Sequence, residues 1–168
     1  MAFMNMIYQT SYAEAKKILK DCKKSKKRDL ENEKRLLRYK EYAISYASNI
    51  IKGRWEDLEK NFLRSNGRVN SKEIVLYCRR VIKKRWIKSE KKILLYSDAS
   101  YYYSLYIIKG KWEKGEKKIS NSPYYSFLYA KHVLKDYFEL GNEIILDSDY
   151  ASDYRQFLID INKVEYLL

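Results

Sequence analysis

Aromatic, small and aliphatic residues recur along most of the chain in a fixed order. A Tyr is followed at once by a small residue, and two adjacent aliphatic residues stand four and five positions after the Tyr. The copies that align without gaps are residues 46–62, 77–93, 103–119 and 129–145. Positions i, i+1, i+4 and i+5 share one face of an α-helix. Each copy therefore predicts a short helix with one apolar side.

An aromatic residue opens a second short helix in every copy. These aromatic residues are Trp55, Trp86, Trp112 and Phe138, and each stands three positions after a recurring Lys. The recurring residues are Lys52, Lys83, Lys109 and Lys135, at steps of 31, 26 and 26. A truncated copy follows at 154–160, with Asp160 at the Lys position. An upstream copy with Lys20 at that position is weakened by the long basic insert after it.

Turn and cap residues separate the predicted helices. Gly53 and Gly110 lie just past the apolar face of the first helix, where helices often end in a left-handed residue, a conformation that Gly adopts at the least cost. We therefore predict a tight turn at these glycines. The predicted N-caps of later helices are Asp98, Asp149 and Ser122, the last with Pro123 at the first helical position.

These patterns predict an all-α fold of short stacked helical-hairpin repeats, a solenoid-like bundle, because two-helix units of this size cannot bury their apolar faces alone. A single domain is expected over 1–168. Within it we assign 1–40 to a basic, amphipathic N-terminal helical segment, 41–160 to four or five two-helix repeats, and 161–168 to a C-terminal tail.

The best copy of the motif, residues 46–59 (YASNIIKGRWEDLE), resembles the Tyr-Ala-x-x-Val-Ile-Lys-Gly-Arg-Trp-Pro-Glu-Ala-Glu repeats of uncharacterised bacteriophage and bacterial proteins. The Pro after the aromatic residue is absent here, so the second helix starts less rigidly. The resemblance implies a helical-repeat scaffold of phage or mobile-element origin that supplies no catalytic residues. It favours an interaction with host machinery, such as inhibition of a defence system.

Charge is large and unevenly placed along the chain. The 168 residues carry 35 Lys and Arg against 22 Asp and Glu, a net charge of +13. Residues 1–135 hold 33 basic and 14 acidic side chains, whereas 136–168 hold 2 and 8. AT-rich coding sequence also favours Lys and Tyr, but it explains abundance better than segregation. Without a membrane-length apolar run or a leader pattern, we expect a soluble protein in the cytoplasm of a bacterial host, with no membrane partner.

The inventory of reactive side chains argues against an enzyme. His132 is the single His, which excludes His-paired nucleophiles and multi-His metal centres, and no Gly-rich phosphate loop is present. Cys78 takes the small packing position of its copy, and Cys22 lies among lysines without a base beside it. Two unpatterned cysteines fit a reducing compartment. We predict no catalytic residue, no metal and no cofactor, and we place His132 on the surface.

Two groups stand out among the 18 Tyr residues. Those that recur at the same place in each copy, together with the Trp and Phe positions, are expected in the core, because inter-repeat packing requires such recurrence. The others are predicted to form an exposed surface for protein contact, which suits Tyr-rich helical faces. They are Tyr101, Tyr102, Tyr106, Tyr124 and Tyr125.

The Lys and Arg residues form two clusters along the chain. The first lies in the N-terminal segment and contributes Lys23, Lys24, Lys26, Lys27 and Arg28. The second is predicted to form a continuous positive ridge that extends into the third copy: Arg79, Arg80, Lys83, Lys84, Arg85, Lys88, Lys91, Lys92, Lys109 and Lys111. Such a ridge is either a solvated face or a surface that contacts phosphates.

The leading hypothesis is a non-enzymatic protein that binds nucleic acid or a ribonucleoprotein through the ridge. One alternative is a scaffold that binds an acidic host protein through its Tyr-rich helical faces. Another is a homo-oligomer in which the acidic end, 136–160, meets the basic face of a second copy.

Overall fold

The computed structural model describes residues 11–167, and these contain eleven α-helices and no strand. The all-α prediction is confirmed. The helices are α1 Tyr12–Ser25, α2 Leu30–Leu36, α3 Lys40–Tyr46, α4 Glu56–Arg64, α5 Arg68–Tyr77, α6 Glu90–Ile93, α7 Ser97–Tyr103, α8 Glu113–Ile119, α9 Pro123–Tyr129, α10 Glu139–Leu146 and α11 Ala151–Asp160. A 3₁₀ turn, Ile87–Ser89, leads into α6, and another, Val164–Leu167, follows α11.

The first ten residues of the predicted N-terminal segment, and the last residue of the predicted tail, lie outside the described residues. None of the helices in 11–167 is both long enough and apolar enough to cross a membrane.

Four of the helices widen at their C-terminal ends into π-helices. Helices α3, α5, α7 and α9 continue directly into π1 Ala47–Ile51, π2 Cys78–Ile82, π3 Ser104–Ile108 and π4 Ala130–Leu134. The small residue of the motif is the first residue of each π-helix, and its carbonyl accepts the bond that closes the wide turn. The N–H of Lys109, for example, donates to the Ser104 carbonyl at 2.7 Å.

The residue that ends each π-helix is the recurring Lys, in the left-handed conformation. The φ angles are 56° at Lys52, Lys83 and Lys135 and 61° at Lys109. The prediction of left-handed glycines at Gly53 and Gly110 is therefore wrong. The π turn closes at the Lys N–H, so the chain must reverse there, and the glycine follows with an ordinary φ. A side chain in this conformation costs about 1–2 kcal/mol.

The N-terminal segment contains the same turn in a different register from the predicted one. Lys26, not Lys20, is left-handed, with a φ of 55°. Lys27, Arg28 and Asp29 then take the places of Gly53, Arg54 and Trp55. Here α1 ends as an ordinary α-helix, in which the Lys26 N–H donates to the carbonyl of Cys22. The predicted N-terminal helical segment contains two helices, α1 and α2.

The predicted caps are partly correct. Ser122 is the N-cap of α9, with Pro123 at its start, but the N-caps of α7 and α11 are Tyr96 and Tyr150, not Asp98 and Asp149. Asp98 is instead buried and ion-paired, with Arg68 at 2.7 Å and Lys72 at 3.0 Å.

The recurring aromatic residues form the core, as predicted. Tyr46, Tyr77, Tyr103 and Tyr129 are 0 % exposed, and the Trp and Phe positions are at most 5 % exposed. Each Tyr ring packs against the aromatic residue of its own copy, with 5.0 Å between the ring centroids of Tyr103 and Trp112. Its hydroxyl accepts the backbone N–H of the aromatic residue of the preceding copy, from Trp86 to Tyr103 and from Trp112 to Tyr129, both at 2.9 Å. One tyrosine thus joins two turns.

A buried glutamate completes this connection. The Tyr103 hydroxyl donates to Glu90 at 3.4 Å, and Arg85 holds both oxygens of Glu90 at 2.5 and 3.1 Å. Arg28 and Glu33 make the same paired contact near Tyr46. In the fourth copy Asn142 stands in the Glu position and Tyr137 in the Arg position, so both partners change together.

The chain divides into two compact units. One takes in the described residues up to Ser65 together with Arg80–Ile82, and the other takes in Asn66–Arg79 together with the described residues from Lys83 onward. The second unit contains a core around Ile119, Tyr129, Ile145, Tyr154 and Leu158, each 0 % exposed. Stacking of all the hairpins into a solenoid stays a prediction.

Candidate anion-binding groove

Three of the recurring lysines meet in an open groove on the second unit. The groove has a volume of about 730 Å³. Its lining residues are Arg79, Lys83, Leu105, Tyr106, Ile107, Lys109, Gly110, His132, Val133 and Lys135. We call it the basic groove. It lies along the C-terminal ends of the first helices of three successive copies, where π2, π3 and π4 finish.

The position of these lysines follows from the local backbone. Lys83, Lys109 and Lys135 all occupy the left-handed position that ends a π-helix, so equivalent turns present equivalent cations. A cation near a helix C-terminus is also favoured by the helix dipole, by about 0.3–1 kcal/mol. This gain is smaller than the cost of placing a Lys in the left-handed region.

The groove is strongly positive. Four Lys or Arg side chains line it, all exposed to solvent, with His132 beside them. Among the described residues that line it there is no Asp or Glu. Cations that have no carboxylate neighbour repel one another, and an anionic ligand relieves that repulsion.

Arg79 and Tyr106 form one wall of the basic groove. The Arg79 guanidinium carbon lies 4.0 Å from the centroid of the Tyr106 ring, a cation–π contact that holds the side chain in place. Tyr106 in turn lies parallel to Tyr102, with 5.9 Å between centroids and 2° between ring planes.

A second, smaller groove lies on the other side of this pair. It has a volume of about 220 Å³ and is lined by Lys72, Val75, Leu76, Arg79, Tyr102 and Tyr106. Its exposed lining is mostly apolar, in contrast with that of the basic groove. We call it the apolar groove. The two grooves share Arg79 and Tyr106.

The structure separates the predicted basic ridge into parts. Arg79, Lys83 and Lys109 meet in the basic groove, whereas Lys111 lines a different groove beside Glu116, Asp136 and Glu139. The other ridge residues line neither the basic nor the apolar groove, and the N-terminal basic cluster belongs to the first unit. These other ridge residues are Arg80, Lys84, Arg85, Lys88, Lys91 and Lys92.

Some predicted binding residues already have internal partners. Arg85 and Arg28 hold the buried carboxylates of Glu90 and Glu33, and hydrogen bonding to Glu90 raises the pKa of Arg85. The Lys92 ammonium donates to the Asn66 side chain at 2.5 Å. Arg85 and Arg28 therefore stabilise their turns through these ion pairs.

Of the five tyrosines predicted to be exposed, Tyr124 is exposed, Tyr102, Tyr106 and Tyr125 are half-buried, and Tyr101 is buried. Tyr101 is 3 % exposed and belongs to the core, which corrects its assignment to an exposed surface. It packs against Tyr102 and Tyr125, and helix periodicity turns it inward while Tyr102 and Tyr106 line the apolar groove. Tyr124 is 42 % exposed and contacts the ring of Tyr125.

Lys135 and His132 are residues of the basic groove that the predicted ridge did not include. The available signal was the recurrence of Lys itself: Lys135 stands in the same position as Lys83 and Lys109. The charge density that defines the ridge is low around Lys135, so charge density alone does not select it. His132 is exposed, as predicted.

Within residues 11–167 no group of three His, Cys, Asp or Glu side chains could hold a metal ion. Cys22 and Cys78 are both buried, and burial raises the pKa of the Cys22 thiol. Comparison with family models, with curated proteins and with solved structures finds no match for this chain.

Proposed function

We propose that this chain is a non-enzymatic binding protein that engages the phosphates of nucleic acid, free or within a ribonucleoprotein, through the basic groove. The observation that supports this function is the convergence of Arg79, Lys83, Lys109 and Lys135 on one open groove whose described lining has no carboxylate. Lysines act on phosphates as point charges, and release of condensed counterions then supplies the free energy of binding.

The backbone adds a second argument for phosphate binding. A Lys at a left-handed position costs more conformational energy than Gly or Asn would. The four full-length copies nevertheless have Lys there, at Lys52, Lys83, Lys109 and Lys135, although Gly53 and Gly110 stand one residue further on. Conformations of this kind are found where function offsets their cost.

The test is the salt dependence of binding to a fluorescent oligonucleotide, followed by polarisation. Four groove cations give an expected slope of log affinity against log salt of about −3 for a single strand and about −4 for a duplex. Replacing Lys83, Lys109 and Lys135 by Gln should weaken binding and reduce the slope by about 0.7 per lysine on a single strand.

Lys52 provides the matched control. It has the same left-handed conformation, with a φ of 56°, and it is not among the residues that line the basic groove. The Lys52→Gln variant should bind with unchanged slope. A slope near zero for the unmodified chain, or equal binding by the triple variant, would refute the proposal.

The main competing function is binding to an acidic host protein. Capture of partners from a bacterial lysate, with and without nuclease, separates the two. Loss of the captured material after nuclease supports nucleic-acid binding, and retention of an acidic protein overturns it. The resemblance to phage repeats extends the proposal to inhibition of a host defence system, which is tested by phage plating on cells that express either the unmodified chain or the triple variant.

A further inference from the structure

The apolar groove borders the basic groove along a single pair of side chains. Arg79 and Tyr106 line both. On the basic side stand the recurring lysines, and on the apolar side stand Val75, Leu76 and Tyr102. A ligand that crosses this pair therefore meets positive charge at one end and aromatic and aliphatic surface at the other.

A nucleotide has the same division of chemistry. Its phosphate is anionic, its base has two apolar π-faces, and a short sugar joins them. Tyr102 and Tyr106 are half-buried and present parallel rings, and such rings stack with any base without regard to sequence. Arg79, held 4.0 Å from the Tyr106 centroid, adds a planar cation on which a base can also stack.

We infer that the apolar groove takes an unpaired base while the phosphates beside it lie in the basic groove, so that the ligand is single-stranded nucleic acid. In a duplex the base faces are covered by their neighbours, and only the phosphates would reach the chain. A single strand can turn one base out across Arg79 and Tyr106. The inference rests on the proposed function, because it needs the basic groove to hold phosphates.

Three ligands of equal length separate base stacking from phosphate binding: a single strand, the corresponding duplex, and an abasic single strand with the same phosphates. Polarisation at fixed salt measures all three with the unmodified chain. The intact strand should bind about ten-fold or more tightly than the abasic strand, since stacking of one base is worth about this much. The duplex should bind less tightly than the intact strand, because it offers no unpaired base.

Variants of Tyr106 test whether the preference for the intact strand arises at the apolar groove. Tyr106→Leu should remove the preference for the intact strand over the abasic strand and leave the salt slope in place. Tyr106→Phe keeps the ring and should keep the preference. Tyr124, which lines neither groove, supplies the control, and Tyr124→Leu should change nothing. Circular dichroism reports whether each variant folds. If Tyr106→Leu does not fold, the comparison of the three ligands with the unmodified chain still tests whether a base stacks.

The outcomes distinguish the two levels of the proposal. Equal binding of intact strand, abasic strand and duplex, each with a steep salt slope, overturns the stacked base and leaves phosphate binding standing. Absence of binding to all three overturns both. A strand that carries 2-aminopurine gives an independent readout, because stacking should quench its fluorescence in the unmodified chain and in Tyr106→Phe but not in Tyr106→Leu.

Discussion

Lysine at the left-handed end of a helix has two opposing energetic effects. The conformation costs about 1–2 kcal/mol, and the positive charge recovers part of this at the helix C-terminus. Lys109 is one of these left-handed lysines, with a φ of 61°. It lines the basic groove together with Lys83 and Lys135. The balance can be measured because salt screens the charge term and leaves the conformational term.

Lys109→Gly should therefore raise the free energy of unfolding by about 0.5–1 kcal/mol in high salt, because Gly relieves the left-handed conformation and loses only part of that gain to backbone entropy. Lys109→Ala keeps the conformational cost and should give no gain. Urea unfolding measures both.

The same pair of changes at Lys52 should alter stability equally but leave nucleic-acid binding intact. If Lys109→Gly is no more stable than Lys109→Ala, the left-handed conformation carries no net cost at this position, and a loss of stability in both variants would show that the Lys109 side chain contributes to the fold.

At the scale of elements, one tyrosine joins two successive turns. The Tyr103 hydroxyl accepts from the Trp86 N–H at 2.9 Å and donates to Glu90, and the Tyr103 ring packs on Trp112. The hydroxyl therefore fixes the start of the second helix in the second copy, and the ring fixes the turn of the third copy.

Tyr103→Phe should lower the free energy of unfolding by about 1–3 kcal/mol, because it leaves a buried N–H and a buried carboxylate without this partner. Thermal and urea unfolding measure the loss. Tyr124→Phe, which removes a hydroxyl from an exposed ring, should stay within about 0.5 kcal/mol of the unmodified chain. Equal effects of the two changes would show that the buried hydroxyl contributes little.

At the scale of the whole molecule, stability should fall at both extremes of pH. Burial of Asp98 acts to raise its pKa, but hydrogen bonds from Arg68, Lys72 and the Ala99 N–H together hold that pKa below its ordinary value. The resulting stabilisation is present above the ordinary Asp range and is lost as pH falls through the lowered pKa. On the alkaline side, burial raises the pKa of Tyr103 and Tyr129 beyond the usual range and that of Tyr154 to about 12.

The alkaline stabilisation is complete below about pH 10, the ordinary Tyr value, and is lost as pH rises toward the raised pKa values. Urea unfolding across pH measures both limits, and tyrosinate absorbance follows the alkaline one. Asp98→Asn should lower the free energy of unfolding at neutral pH and make it depend less on pH in the acid range. Its dependence on pH in the alkaline range should stay unchanged. If Asp98→Asn loses stability at low pH as steeply as the unmodified chain does, other carboxylates cause that loss.

The fold was more predictable from sequence than the groove. Helical periodicity identified the first helices and the buried tyrosines, because a helix face is set by neighbours a few residues apart. The left-handed Lys109 was not predicted, since propensity favours Gly110 and a π turn leaves no simple sequence signal. Charge density selected Arg85, whose charge turned out to be engaged by Glu90, and overlooked Lys135.

The sequence by itself determined that this chain is helical, that its apolar positions recur, and that its charge is basic and segregated. All three are local or summed properties, which can be counted along the chain. Only the tertiary structure decided which cations share a groove, because Lys83, Lys109 and Lys135 are 26 residues apart and meet only when three helix ends come together. It also decided that Arg79 and Tyr106 form the boundary between a basic and an apolar surface, since that contact joins two helices whose packing no local pattern records.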